Sequence, residues 1–206
     1  MLKFILKNKK VVFIAGDRRR EVTHFIYFIL RDGFSIFPSK GIPGISDLFR
    51  VLRSEIVIIE DNPDESPQEI KDFFYSLNDC VFVITETGKR VRIKELLRGF
   101  SDKWSLVLDF SMAKKIKRKR VKKLLTFGVN KKKADFYITD TYRKDRETNF
   151  KVNYEDNIIP FWIKDDLKNK DIYSILPALC LAELFDLNLA KVSYRIKEEL
   201  TVFTHR

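Results

Sequence analysis

Short, unbroken apolar runs constrain this chain more than any other feature of its sequence. Val11-Val-Phe-Ile-Ala15, the Ile-Val-Ile-Ile core of Glu55–Glu60, the run inside Asp79–Thr85 and the one inside Trp104–Asp109 carry no internal polar alternation. A strand with one face in water alternates apolar with polar residues. A continuous run belongs to a strand covered on both faces, as in a parallel sheet flanked by helices. Segments of helical length stand between the runs: Thr23 to Arg31, Ile45 to Arg53 with apolar residues at Ile45, Leu48, Phe49 and Leu52, and a segment from about Pro67 to Leu77. Ser66 can cap the last of these, with Glu69 in its first turn. Phe34 to Phe37 reads as a further strand and Pro38 to Gly44, with two Pro and two Gly, as a loop.

The alternation of strand and helix predicts an α/β domain with a largely parallel sheet. Ile93 to Leu97 reads as a short helix. In the second half, the pattern predicts a basic helix near Ala113 to Val121, a strand at Lys123 to Phe127, and hairpins around Phe136 to Thr139 and Phe150 to Val152. An apolar helix from Asp171 to Phe185 and a short one from Leu189 to Leu200 follow. A small antiparallel extension on a mainly parallel sheet is the expected architecture, in a single unit spanning 1–206.

Composition excludes several classes. A chain of 206 residues with 45% hydrophobic and 13% aromatic residues, 18 of them Phe, has enough apolar material for a core and too much for a disordered chain. The aromatics, mostly Phe in strand-like and helical runs, read as core. Cys80 and Cys180 lie a hundred residues apart without a Cys-x-x-Cys, which excludes a disulfide framework and a thiolate zinc site. The two histidines, His24 and His205, exclude a His-rich metal cluster, and neither stands beside a recognisable nucleophile. No stretch approaches the ~20 apolar residues of a membrane span. The start has charges scattered through it rather than a signal-peptide core. A cytoplasmic protein is the expectation.

Lys and Arg number 40 against 29 Asp and Glu, a net charge of +11. Eleven cations fall between Lys114 and Lys133, with no acid between Asp109 and Asp135. Such a run, with Lys117, Arg118, Lys119 and Arg120 at its centre, can neutralise phosphates of a nucleic acid or meet an anionic membrane surface. Solvated lysines on one helix are the plainer reading, and no nucleic-acid-binding module signature accompanies them.

The strand, Gly turn and helix at Val11–Arg31 occupy the place of a P-loop. Together with Gly41-Ile-Pro-Gly-Ile-Ser-Asp-Leu-Phe49, Val57-Ile-Ile-Glu60, Ser66-Pro-Gln-Glu-Ile70, Cys80-Val-Phe-Val-Ile-Thr85, Leu124-Leu-Thr-Phe-Gly128 and Asp171-Ile-Tyr-Ser-Ile-Leu-Pro-Ala-Leu179, they resemble the central, ATP-binding domain of Mur ligases. The branch that adds D-alanyl-D-alanine is the most similar. The resemblance runs through nearly the whole chain in order. It implies a P-loop-type fold, with Glu60 at the position of a magnesium ligand and Lys94 at that of a lysine that becomes carbamylated.

The departures fall on the chemistry. The family's Gly-Thr-x-Gly-Lys-Ser/Thr-Thr loop is matched by Gly16-Asp17-Arg18-Arg19-Arg20-Glu21-Val22, so Arg19 replaces the inner Gly, Arg20 the Lys and Glu21 the hydroxyl. A P-loop depends on glycines that turn backbone N–H groups toward phosphate, a lysine on the outer oxygens and a hydroxyl on magnesium. Arg18, Arg19 and Arg20 attract anions, but a like-charge contact from Asp17 or Glu21 at ~4 Å costs on the order of 4 kcal/mol at an effective dielectric near 20. That is half the free energy of a micromolar complex, about 8 kcal/mol. The adenine-side amides are replaced as well, by Lys170-Asp171 and Ser174.

The family's N-terminal and C-terminal substrate domains have no counterpart in this length. The expectation is therefore a non-catalytic, Mur ligase-like binding or structural module that requires no cofactor and works with a protein or anionic partner. Two alternatives stay open. One is a nucleotide-binding subunit of an ATP-dependent ligase, using Gly16, Arg18, Arg19 and Arg20 for phosphate and Glu60 for magnesium. The other is a polyanion-binding module built on 114–133.

Overall fold

In the computed structural model, which describes residues 2–85, 95, 102–113 and 121–200, β1 (Lys10–Ala15) lies inside a nine-stranded sheet. The other strands are β2 (Ile36–Lys40), β3 (Ile56–Glu60), β4 (Cys80–Ile84), β5 (Ser105–Asp109), β6 (Lys123–Val129), β7 (Phe136–Lys144), β8 (Glu147–Tyr154) and β9 (Asn157–Ile163). They stand in the order β2-β3-β1-β4-β5-β6-β7-β8-β9. Every pair from β2 to β7 is parallel, and β7–β8 and β8–β9 are antiparallel. The mainly parallel sheet with an antiparallel extension is present as the sequence predicts.

The continuous apolar runs are explained by cover on both faces. Along β1, Val12 and Ile14 join one core cluster while Val11, Phe13 and Ala15 join the other. The helices are α1 (Leu2–Leu6), α2 (Arg19–Leu30), α3 (Leu48–Arg53, preceded by a 3₁₀ turn at Ile45–Asp47), α4 (Pro67–Phe74), α5 (Phe110–Ala113), α6 (Asn169–Leu184) and α7 (Leu189–Glu199). α2, α6 and α7 cover the face of Val12. α1, α3 and α4 cover the face of Phe13, where Phe74 packs edge to face on Phe13 and Phe82 at 5.2 and 4.8 Å between centroids. The chain leaves β1 toward β2 over one face and returns through α3 and α4 over the other, as crossovers of uniform hand require.

The structure differs from the sequence reading at β2, at β9 and at α3. β2 runs through Pro38 to Lys40 instead of ending at Phe37, and β9 is a further strand despite Pro160. β2 and β9 are the two edges of the sheet. An edge strand has one side without ladder partners, so a missing N–H is tolerated there. Ile45, Phe49 and Leu52, spaced as a core face, are exposed, and only Val51 of α3 is buried. Phe4 and Phe49 are thus exceptions to the reading of the phenylalanines as core. The helices expected at Ile93–Leu97 and Ala113–Val121 fall largely outside the described residues. Ser66 caps α4 as expected, with Glu69 N–H donating to Ser66 Oγ (3.1 Å) and Ser66 N–H to Glu69 Oε2 (2.7 Å).

Candidate functional site

The turn after β1 sits where the sheet order diverges, with β3 on one side of β1 and β4 on the other. In an open α/β sheet this carboxyl-end crevice is the place where ligands bind. Asp61 N–H donates to Ile14 O at 2.8 Å and Thr85 N–H to Ala15 O at 3.0 Å, so the chain leaving both neighbours is stitched to the mouth of β1. Gly16 has φ +121°, and a Cβ there would overlap Thr85 Oγ1 and stand 2.9 Å from Thr85 O. Only glycine fits.

From Gly16 the chain turns directly into α2, with Arg19 N–H reaching Gly16 O at 3.4 Å and Val22 N–H reaching Arg18 O at 3.0 Å. The three arginines do different things. Arg18 precedes the helix with its side chain partly buried. Its Nη1 lies 3.7 Å from Glu21 Oε1 and 3.9 Å from Asp171 Oδ1 in the first turn of α6. Both distances suit ion pairs and exceed hydrogen-bond reach, so Nη1 is shielded from water without an acceptor. Arg19 folds back to donate from Nη1 to Gly16 O at 3.4 Å. Arg20 is exposed.

The N-terminus of α2 favours negative charge, and Glu21 already supplies it from the first turn. Asp17 is exposed beside it. Asp171 accepts Lys168 N–H at 3.1 Å through Oδ2 while its Oδ1 faces Arg18. Ser174 is buried and donates to Lys170 O at 3.0 Å within its own helix. The positions that the resemblance assigns to adenine-side amides therefore hold the helix and the turn together.

Glu60 ends β3 half-buried, with its carbonyl accepting Gly41 N–H at 2.9 Å. Among the described residues it makes no ion pair with Arg18, Arg19 or Arg20, and no group of three His, Cys, Asp or Glu could hold a metal ion. Lys94, Lys117, Arg118, Lys119 and Arg120 lie outside the described residues. Sequence reasoning missed Thr85, Asp109 and Tyr173. Asp109, at the end of β5 and buried, accepts Ser111 N–H (2.8 Å), Ser111 O–H (2.5 Å) and Tyr173 O–H (2.8 Å), which ties α6 to the sheet. Its position at the end of an apolar run, like that of Glu60, was the available signal.

The architecture matches known structures. The MurF ligase of Thermotoga maritima, solved in complex with ADP, superposes with a TM-score of 0.73 at 15% identity, over 95% of this chain and 50% of that one. The fold is that of the Mur ligase central domain. A MurF of Acinetobacter baumannii gives 0.66 at 12% identity, over 96% of this chain and 46% of that one. A pseudomurein peptide ligase type C of Methanothermus fervidus gives 0.66 at 12%, over 93% and 49%. The chain spans about half the length of these Mur ligase structures. No protein-family model matches the sequence, and neither does any curated protein. Identities this low establish the Mur ligase fold and leave the chemistry to the residues of the site.

No helix among the described residues is long and apolar enough to cross a membrane.

Proposed function

We propose that this chain is a non-catalytic, Mur ligase-like module, a single central-domain unit acting in binding or structure, whose turn after β1 no longer serves a nucleotide. The observation that carries this reading is the engagement of Arg18. Its guanidinium stands between Glu21 and Asp171 and closes α2 onto α6. Arg19 turns back onto Gly16 O, so two of the three cations serve the chain itself. A triphosphate entering here would meet the carboxylates of Asp17, Glu21 and Asp171. It would find neither the lysine nor the hydroxyl that phosphate and magnesium require. ATP and magnesium do not fit these residues.

The test is a thermal shift with magnesium and ATP. A ligand specific for the folded state stabilises it by RT ln(1 + [L]/Kd), so a working site would raise Tm clearly at 100-fold excess over Kd, about 2.7 kcal/mol. We expect no shift at millimolar ATP, and a saturable rise would refute the reading.

One observation favours a second reading. Arg18 Nη1 is a shielded donor without an acceptor, which an incoming anion would satisfy. In that case Gly16 and Arg18 to Arg20 would hold phosphate and Glu60 magnesium, in a nucleotide-binding subunit of an ATP-dependent ligase. For the basic run, Lys131, Lys132 and Lys133 are exposed and support polyanion binding through 114–133. Retention on heparin that is unchanged after Lys117, Arg118, Lys119 and Arg120 are neutralised would end that reading.

A further inference from the structure

Ile45, Phe49 and Leu52 recur at the spacing of a buried helix face, yet Ile45 is 82% exposed, Phe49 75% and Leu52 47%. The inward position of α3 belongs to Val51, which is fully buried, and Phe49 stands two residues before it, about 200° round the helix. α1 repeats the arrangement. Leu6 enters the same core cluster as Val51, and Phe4, two residues earlier, is 74% exposed. The two helices adjoin, with Lys9 Nζ donating to Leu52 O at 3.0 Å. Single exposed apolar residues are ordinary, but four large ones on α1, the 3₁₀ turn and the adjoining α3 mark a contact surface.

The charged side chains beside these four residues in sequence are mainly basic. Lys3 and Lys7 flank Phe4, and Arg50 and Arg53 flank Leu52 on α3. Among the described residues Lys7, Arg50 and Arg53 form no ion pair, and Lys3 donates only to a backbone carbonyl, that of Asp72. The one acid in the 3₁₀ turn, Asp47, accepts Gly44 N–H at 3.0 Å. Strongly protruding aliphatic and aromatic side chains suit a deformable apolar medium, whereas a folded partner would need a matching pocket for each. Cations flanking apolar side chains match anionic headgroups above an acyl layer.

We infer that α1, the 3₁₀ turn and α3 form a docking surface for an anionic lipid bilayer. Phe4, Ile45 and Phe49 enter the acyl boundary, and Lys3, Lys7, Arg50 and Arg53 meet the headgroup phosphates. The inference is independent of any nucleotide at Gly16.

The experiment is co-sedimentation of the full chain with vesicles of phosphatidylcholine alone or mixed with phosphatidylglycerol. We expect binding to the anionic vesicles that weakens with salt. It should fall roughly tenfold or more in a Phe4→Ser, Ile45→Ser, Phe49→Ser variant. That variant should keep the wild-type Tm, because the three side chains are exposed. Neutralising Lys117, Arg118, Lys119 and Arg120 should leave most of the binding in place. Absence of wild-type binding, equal binding to neutral vesicles, or binding that survives the triple variant and vanishes when the basic run is neutralised would each overturn the inference.

Discussion

Replacing Gly16 by Ala tests the close fit between the turn and β4. The new Cβ would overlap Thr85 Oγ1 and stand 2.9 Å from Thr85 O, and the residue would have to hold φ +121°. A non-glycine residue at such a dihedral costs about 1–3 kcal/mol, and overpacking adds about 1–3 kcal/mol. The sum, ~2–6 kcal/mol, is a large share of the 5–15 kcal/mol typical of a domain. Thr85 is fully buried and its amide is bonded to Ala15 O, so it does not move away cheaply. Adding Thr85→Ala removes the hydroxyl overlap but leaves the carbonyl contact and the dihedral, and should recover about 1 kcal/mol. Urea unfolding followed by tryptophan fluorescence, with Trp104 buried in the core, measures both. A Gly16→Ala variant within about 1 kcal/mol of wild type would refute the reasoning.

Three further outcomes follow from the same contacts. Arg18→Ala and Asp171→Asn should each destabilise by about 0.5–1 kcal/mol, and a double-mutant cycle should show salt-sensitive coupling between them. Tyr173→Phe should cost about 1–2 kcal/mol by leaving one oxygen of the buried Asp109 without its donor, measured by the same denaturation. Backbone N–H donation from Ser35 and Ser66 holds the carboxyls of Glu55 and Glu69 below their ordinary 4.5. The stabilisation from these groups is present above that value and is lost as pH falls through the lowered folded-state values. Glu55→Gln with Glu69→Gln should therefore flatten the acid limb of the stability profile, and an unchanged acid limb would count against it.

The elements read correctly from sequence are those whose physics is local. β1, β3, β4 and β5 have continuous apolar interiors because both faces are covered, and α4 begins where Ser66 and Glu69 can exchange hydrogen bonds. The errors came from tertiary placement. Pro38 and Pro160 argue against strands unless the strand is an edge, and edge position is a property of the whole sheet. Ile45, Phe49 and Leu52 have a core period without a core to face, because among the described residues that side of α3 is exposed. The positions of Gly16 and Arg18 in the turn after β1 and of Glu60 at the end of β3 were legible through a resemblance in order and motif. The engagement of Arg18 by Asp171 joins residues 153 apart in sequence, and that of Asp109 by Tyr173 joins residues 64 apart; no spacing rule reports either.

Titration calorimetry with magnesium and ATP tests most directly whether the turn after β1 serves the chain itself. It compares wild type with a variant carrying Arg19→Gly, Arg20→Lys and Glu21→Thr. The account predicts no binding by wild type at millimolar ligand, and measurable binding once the phosphate-compatible residues stand in the turn. A wild-type Kd in the micromolar range, equal to or tighter than that of the variant, would contradict it.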